Sequence, residues 1–123
     1  MTWIDAAEEA MQKLSADLGI PYDYRRNRSP TDQLPDSYLV YFLVDDPVDS
    51  VFDGMARTHQ PRVQVGFFFR DTRQELAVPD KIVKAFQNAG FGVGGAGQIP
   101  YQPDTGHYGW RRDFYYYENF RKE

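Results

Sequence analysis

From Arg62 to Arg70 the chain reads Arg-Val-Gln-Val-Gly-Phe-Phe-Phe-Arg, and no other stretch limits the fold as tightly. Val63, Val65, Phe67 and Phe69 recur every second residue, so in a pleated strand all four leave one face, and that face must be core. Gln64, Gly66 and Phe68 leave the other, a half-buried face on which Phe68 wants cover from a helix or a partner. The segment is expected to be a central antiparallel strand. The rest of the chain must then supply neighbours for both its edges and a lid for its apolar face.

Two stretches have the pattern of a lid. Thr2 and Asp5 form a capping-box pattern, and Ile4, Ala7, Met11, Leu14 and Leu18 follow at three- and four-residue spacing, which predicts an amphipathic helix over Trp3 to Leu18. Glu8, Glu9, Gln12, Lys13 and Asp17 fall on its outer face, Gly19 supplies a left-handed stop, and Pro21 bars continuation. Asp71 to Leu76 is expected to turn, Pro79 to sit in the first turn of a second helix with Ile82, Val83, Phe86 and Ala89 on one face, and Gly90 to end it.

The remaining segments supply strands. Tyr22 to Arg28 sets Tyr22, Tyr24 and Arg26 against Asp23, Arg25 and Asn27, a polar strand suited to a sheet edge. Ser37 to Val44 is apolar on both faces, hence central. Phe91 to Ile99 is a glycine-rich strand, and after a turn His107 to Phe120 is a long final one. On that strand Tyr108, Trp110, Arg112, Phe114 and Tyr116 share one face, and His107, Gly109, Arg111, Asp113, Tyr115 and Tyr117 the other.

Asp45 to Gln60 holds Asp45, Asp46, Asp49 and Asp53 before its first basic residue, Arg57, and is expected to be a long acidic loop. Val48, Val51, Phe52 and Met55 give it an apolar stripe, so it is expected to act as a docking arm; packing on its own subunit as a short helix or extended hairpin is the alternative. The fold class expected is α+β: one domain over residues 1–123, a mostly antiparallel or mixed sheet of about five strands with two helices packed on it, in the order α-β-β-β-α-β-β. Its core is expected at Ile4, Met11, Leu14, Leu39 or Val40, Val63, Val65, Phe67, Phe69, Ile82, Phe86 and Phe114.

Chemistry is sparse. With 14 basic and 18 acidic residues the chain is acidic, which argues against an autonomous duplex-DNA binder held by phosphate contacts. It has no cysteine, so disulfides, thiolate catalysis and Cys-ligated zinc are excluded. No basic-then-apolar leader is present and the longest apolar run, Tyr38 to Val44, is too short to span a bilayer, so a soluble protein made in the cytoplasm is expected. Gly92, Gly94 and Gly97 spell G-x-G-x-x-G, but a helix precedes them and Gln98-Ile99-Pro100 follows, the reverse of a dinucleotide-binding turn; they are expected to permit a bulge or a close backbone approach. His59 and His107 belong to no catalytic constellation, and the aspartates of the acidic segment lack the spacing of a calcium loop. No catalytic, cofactor-binding or metal-binding residue is assigned, and no enzyme is expected.

What stands out is aromatic and arginine surface. The chain has nine Tyr and two Trp, and at two places, Tyr22 to Arg28 and Trp110 to Tyr115, these aromatics stand beside arginines, residue types that favour protein interfaces. The candidate subunit or partner interface comprises Tyr22, Tyr24, Arg25, Arg26 and Arg28 at the edge strand, Val51, Phe52 and Met55 in the acidic segment, and Trp110, Arg111, Arg112 and Tyr115 on the last strand.

The order of elements resembles the tail terminator (tail completion, head–tail joining) proteins of long-tailed bacteriophages. The resemblance rests on Gly19-Ile20-Pro21 before the Tyr22-Asp-Tyr24 strand, on Leu34-Pro-Asp-Ser-Tyr-Leu-Val-Tyr41, and on an acidic insertion leading to His59. It continues through Arg62-Val-Gln-Val65, Ala89-Gly90-Phe91, Tyr101 with Asp104-Thr-Gly-His107-Tyr108, and Arg112-Asp-Phe114. It implies a structural virion protein, assembled in the bacterial host cytoplasm, that forms a hexameric ring on the head-proximal end of the tail tube. Such a ring would stop tube elongation and join the tail to the head connector, with the tail-tube protein and connector as partners and DNA passing through the lumen unbound. Another head-completion or secretion-tube adaptor of similar fold, or a small ligand- or nucleic-acid-binding module, stays open as an alternative.

Overall fold

In the computed structural model, which describes residues 2–27, 33–52 and 54–119, the Arg62–Phe69 strand (β5) is the middle of a five-stranded sheet. On one side it pairs with β2 (Ser37–Asp45), which in turn pairs with β1 (Tyr22–Tyr24); on the other it pairs with β7 (His107–Tyr115), then β6 (Gly92–Gln102), giving the order β1-β2-β5-β7-β6. β1 runs parallel to β2 and every other pair is antiparallel, so the sheet is mixed. The fold is α+β, and the elements of this sheet and its helices follow the expected chain order α-β-β-β-α-β-β.

Strand alternation sorts the side chains. The register places Leu39 opposite Phe67 and Tyr41 opposite Val65 on one side of β5, with Trp110 opposite Phe67 and Phe114 opposite Val63 on the other, all on the face that Val63 and Phe69 also share. That face is covered by α1 (Trp3–Leu18) and α2 (Gln74–Asn88), which contribute Met11, Leu14, Ile82 and Phe86 to one core. The Phe86 and Phe114 rings stack at 4.5 Å and those of Phe67 and Phe69 at 4.9 Å. Every expected core residue is buried except Ile4, which packs on the core half-buried; Leu39 belongs to it, whereas Val40 is buried on the opposite face.

Local signals set the helix ends. Thr2 caps α1 through a capping box with Asp5, and Gly19 closes it at φ 67°. α2 begins earlier than expected: Pro79 lies inside the helix instead of in its first turn. The Asp71 carboxylate accepts from the Arg73 amide at 3.0 Å, and the amides of Gln74, Glu75 and Leu76 bond back to Asp71, Thr72 and Arg73, so a tight turn builds the helix start before proline is reached.

The segment expected as a long loop is a hairpin. β3 (Val48–Phe52) and β4 (Met55–His59) pair antiparallel, with Phe52 opposite Met55 across the Asp53-Gly54 dipeptide, and Gly54 takes φ 75°. The long final strand is split: β7 stops at Tyr115, and β8 (Glu118–Asn119) leaves the main sheet to pair with β4, making a small sheet ordered β3-β4-β8. The glycines of β6 form the expected irregularity. Val93 pairs with Phe114 and Ala96 with Arg112, so Gly94 and Gly95 together oppose Asp113 in a bulge. A Cβ on Gly94 would stand 2.6 Å from the Tyr115 ring and 2.9 Å from the Asp113 carbonyl oxygen, which is why glycine is needed there.

Candidate subunit and partner interface

Because both helices lie on one face, the other face of the sheet has no helix over it among the described residues. Tyr38, Val40 and Phe42 of β2, Phe68 of β5 and Ile99 of β6 line a groove of about 220 Å³ there. Phe68 is half-buried, as the alternation predicts, and its cover is Tyr38, whose ring stacks on it at 5.0 Å. Gly66 lets this happen, since a Cβ there would lie 3.1 Å from the Phe68 ring. Arg25 and Arg26, both exposed, form the rim beyond β1. Arg25 takes φ 73°, which turns the chain out of the edge strand, and its guanidinium lies 5.4 Å from the Tyr24 ring centre.

The candidate interface residues divide between the two faces. Tyr22 and Tyr24 lie with Leu39 and Tyr41 on the helix-covered face. Tyr22 donates to Glu8 of α1 at 2.5 Å and Tyr41 donates to the other oxygen of the same carboxylate, so Glu8 is turned toward the sheet instead of lying on the helix's outer face. Burial, then the Glu8 hydrogen bond and charge, pushes the Tyr22 phenol up to about 12; the same causes raise Tyr41 further. Trp110 is core, sharing its face with Phe114. Arg112 is half-buried on that face, while Arg111 and Tyr115 are on the open one, so the structure does not gather the last-strand residues into one patch. Arg62 stands opposite Tyr115 in the β5–β7 register and meets Asp45 at 3.3 Å; the Tyr115 hydroxyl first, then the Asp45 charge, raise the Arg62 pKa. Val51, Phe52 and Met55 belong to the hairpin strands, and Arg28 lies outside the described residues.

The histidines hold segments together. His107 is fully buried; its Nε2 donates to the Pro35 carbonyl at 2.8 Å, which leaves Nδ1 to accept from the Thr105 hydroxyl at 2.8 Å. His59 meets Asp46 through Nδ1 at 2.6 Å and Glu118 through Nε2 at 2.9 Å, and the other Glu118 oxygen accepts from the Trp3 amide. This cluster ties the hairpin, β8 and the start of α1 together. Both imidazole nitrogens are occupied, and among the described residues no group of His, Asp or Glu is arranged to hold a metal ion. Among them, too, no helix is long and apolar enough to cross a membrane. The residues that sequence reasoning missed are Tyr38, Val40, Phe42 and Ile99, whose signal was there: β2 is apolar on both faces, so one of them had to be covered by something besides the helices.

No protein-family model and no curated protein sequence matches the chain.

Proposed function

We propose that the protein is a structural subunit of a phage virion, a tail terminator that rings the head-proximal end of the tail tube, stops its elongation and joins the tail to the head connector. The observation that carries the reading is the one-sided cover of the sheet. Two helices seal one face, while the other keeps an apolar groove rimmed by Arg25 and Arg26. Among the described residues the sheet ends at β1 and β6, outer strands suited to assembly with neighbours. The chain-wide resemblance supplies the particular assembly, and its acidic charge suits a lumen through which DNA passes without being gripped. On this reading the protein has no catalytic role, works in the virion tail, is put together in the bacterial host cytoplasm, and has itself, the tail-tube protein and the connector as partners.

Electron microscopy of the purified protein, alone and added to growing tail tubes, tests it. The expected result is a closed ring capping one tube end and tubes of arrested length. A two-fold dimer as the sole state in solution and on tubes would refute it, because an isologous pair leaves no surface with which to close a ring.

A further inference from the structure

We infer that the acidic β3–β4 hairpin of one copy seats in the open-face groove of a second copy of this chain. The inference deepens the ring reading and rests on it, since it names the two surfaces that would build the ring.

Charge selects the occupant. Arg25 and Arg26 line the groove, both are exposed, and among the described residues neither makes an ion pair. Among the described residues no carboxylate lines it; Asp23, which neighbours Val40 across the β1 edge, already holds an interaction of its own. Residues 45–60 carry four aspartates against one arginine, together with the apolar Val48, Val51, Phe52 and Met55. Asp45 and Asp46 are held within the chain by Arg62 and His59; Asp49 belongs to β3, and Asp53 precedes Gly54 in the sequence. An apolar, acidic hairpin thus matches an apolar, basic groove.

Geometry selects the second copy. Among the described residues none from the hairpin lines the groove of its own chain, and the hairpin's base is fixed elsewhere: β4 pairs with β8, His59 bridges Asp46 and Glu118, and the Gln60 amide bonds the Pro47 carbonyl at 2.9 Å. Val48 is left 52% exposed on this fixed arm. Hairpin and groove are different patches, so a one-way contact from each copy to the next is heterologous, and in the ring reading its rotation closes on itself.

The absence of cysteine makes the contact directly readable. Val48→Cys on one chain and Asn27→Cys, beside the groove, on another are mixed and mildly oxidised. The expected result is a covalent dimer from the mixture and none from either variant alone. Arg25→Glu/Arg26→Glu and Asp49→Lys/Asp53→Lys should each weaken self-association about tenfold or more, and mixing the two reversed variants should restore it, with wild-type melting as the check on folding. If Val48→Cys alone cross-links, or if both reversed variants assemble like wild type, the hairpin-in-groove contact is overturned while the ring reading stands. If wild type gives only a monomer or a two-fold dimer, in solution and on tubes, both fall together.

Discussion

Phe67 and Phe68 are adjacent in sequence and on opposite faces of β5, so truncating each in turn measures how the sheet is covered. Phe67 is fully buried, stacks on Phe69 at 4.9 Å and lies opposite Leu39 and Trp110 on the neighbouring strands. Phe67→Ala forfeits about 2 to 3 kcal/mol of transfer free energy. It also opens a space of roughly 100 Å³, adding up to about 2.4 kcal/mol if its walls do not collapse. Because β5 is hydrogen-bonded on both sides, collapse is limited, and a total of about 3 to 5 kcal/mol is expected. For a domain of this length that is a fall in melting temperature of roughly 10 to 20 °C. Phe68 is half-buried with one stacking partner, so Phe68→Ala should cost about 1 to 2 kcal/mol. Urea denaturation followed by far-ultraviolet circular dichroism, with slopes compared to confirm two-state behaviour, reads both values. Equal losses for the two variants, or Phe67→Ala melting like wild type, would show that the helices do not cover the face assigned to them.

Gly94→Ala must push the Asp113 carbonyl and the Tyr115 ring and should cost about 1 to 3 kcal/mol, whereas Gly95→Ala, with nothing within 4 Å of its new methyl, should be near neutral in the same denaturation assay. Tyr22 ionises near 10 when unfolded and near 12 when folded, so its contribution is fully present below pH 10 and is lost as pH rises from about 10 to about 12. Wild type should therefore lose its stability advantage over Tyr22→Phe across that window, and a pH-independent difference would contradict the burial of the phenol together with its Glu8 contact. His107→Leu strands the Pro35 carbonyl and Thr105 hydroxyl and should cost about 2 to 4 kcal/mol by thermal melting, with loss of amide protection at residues 105–107 as its local signature.

Elements whose pattern is local were legible in the sequence. The spacing of Met11 and Leu14, closed by Thr2 and Gly19, defines α1 without reference to anything else, and the alternation through β5 defines a strand. The bulge at Gly94 was legible because a run of glycines in a strand has few other uses. The hairpin also carried a local signal that near-helical spacing masked: Asp53-Gly54 is the dipeptide that favours a tight turn between two strands. Alternation even placed Trp110 and Phe114 on one face, so naming Phe114 as core already implied that Trp110 was not surface.

The sequence by itself determined the five strands of the main sheet, the two helices and which residues of each share a face. It did not determine which face of each strand is covered. That depends on where α1 and α2 come to lie, a matter of contacts between segments far apart in the chain. Only the tertiary structure turned Tyr22 and Tyr24 toward Glu8, drew β8 away from the last strand to the hairpin, and left Tyr38, Val40 and Phe42 on the side without a helix. A period of two distinguishes two faces but carries no information about what packs against either, and pairing between distant strands is fixed by the whole set of contacts together.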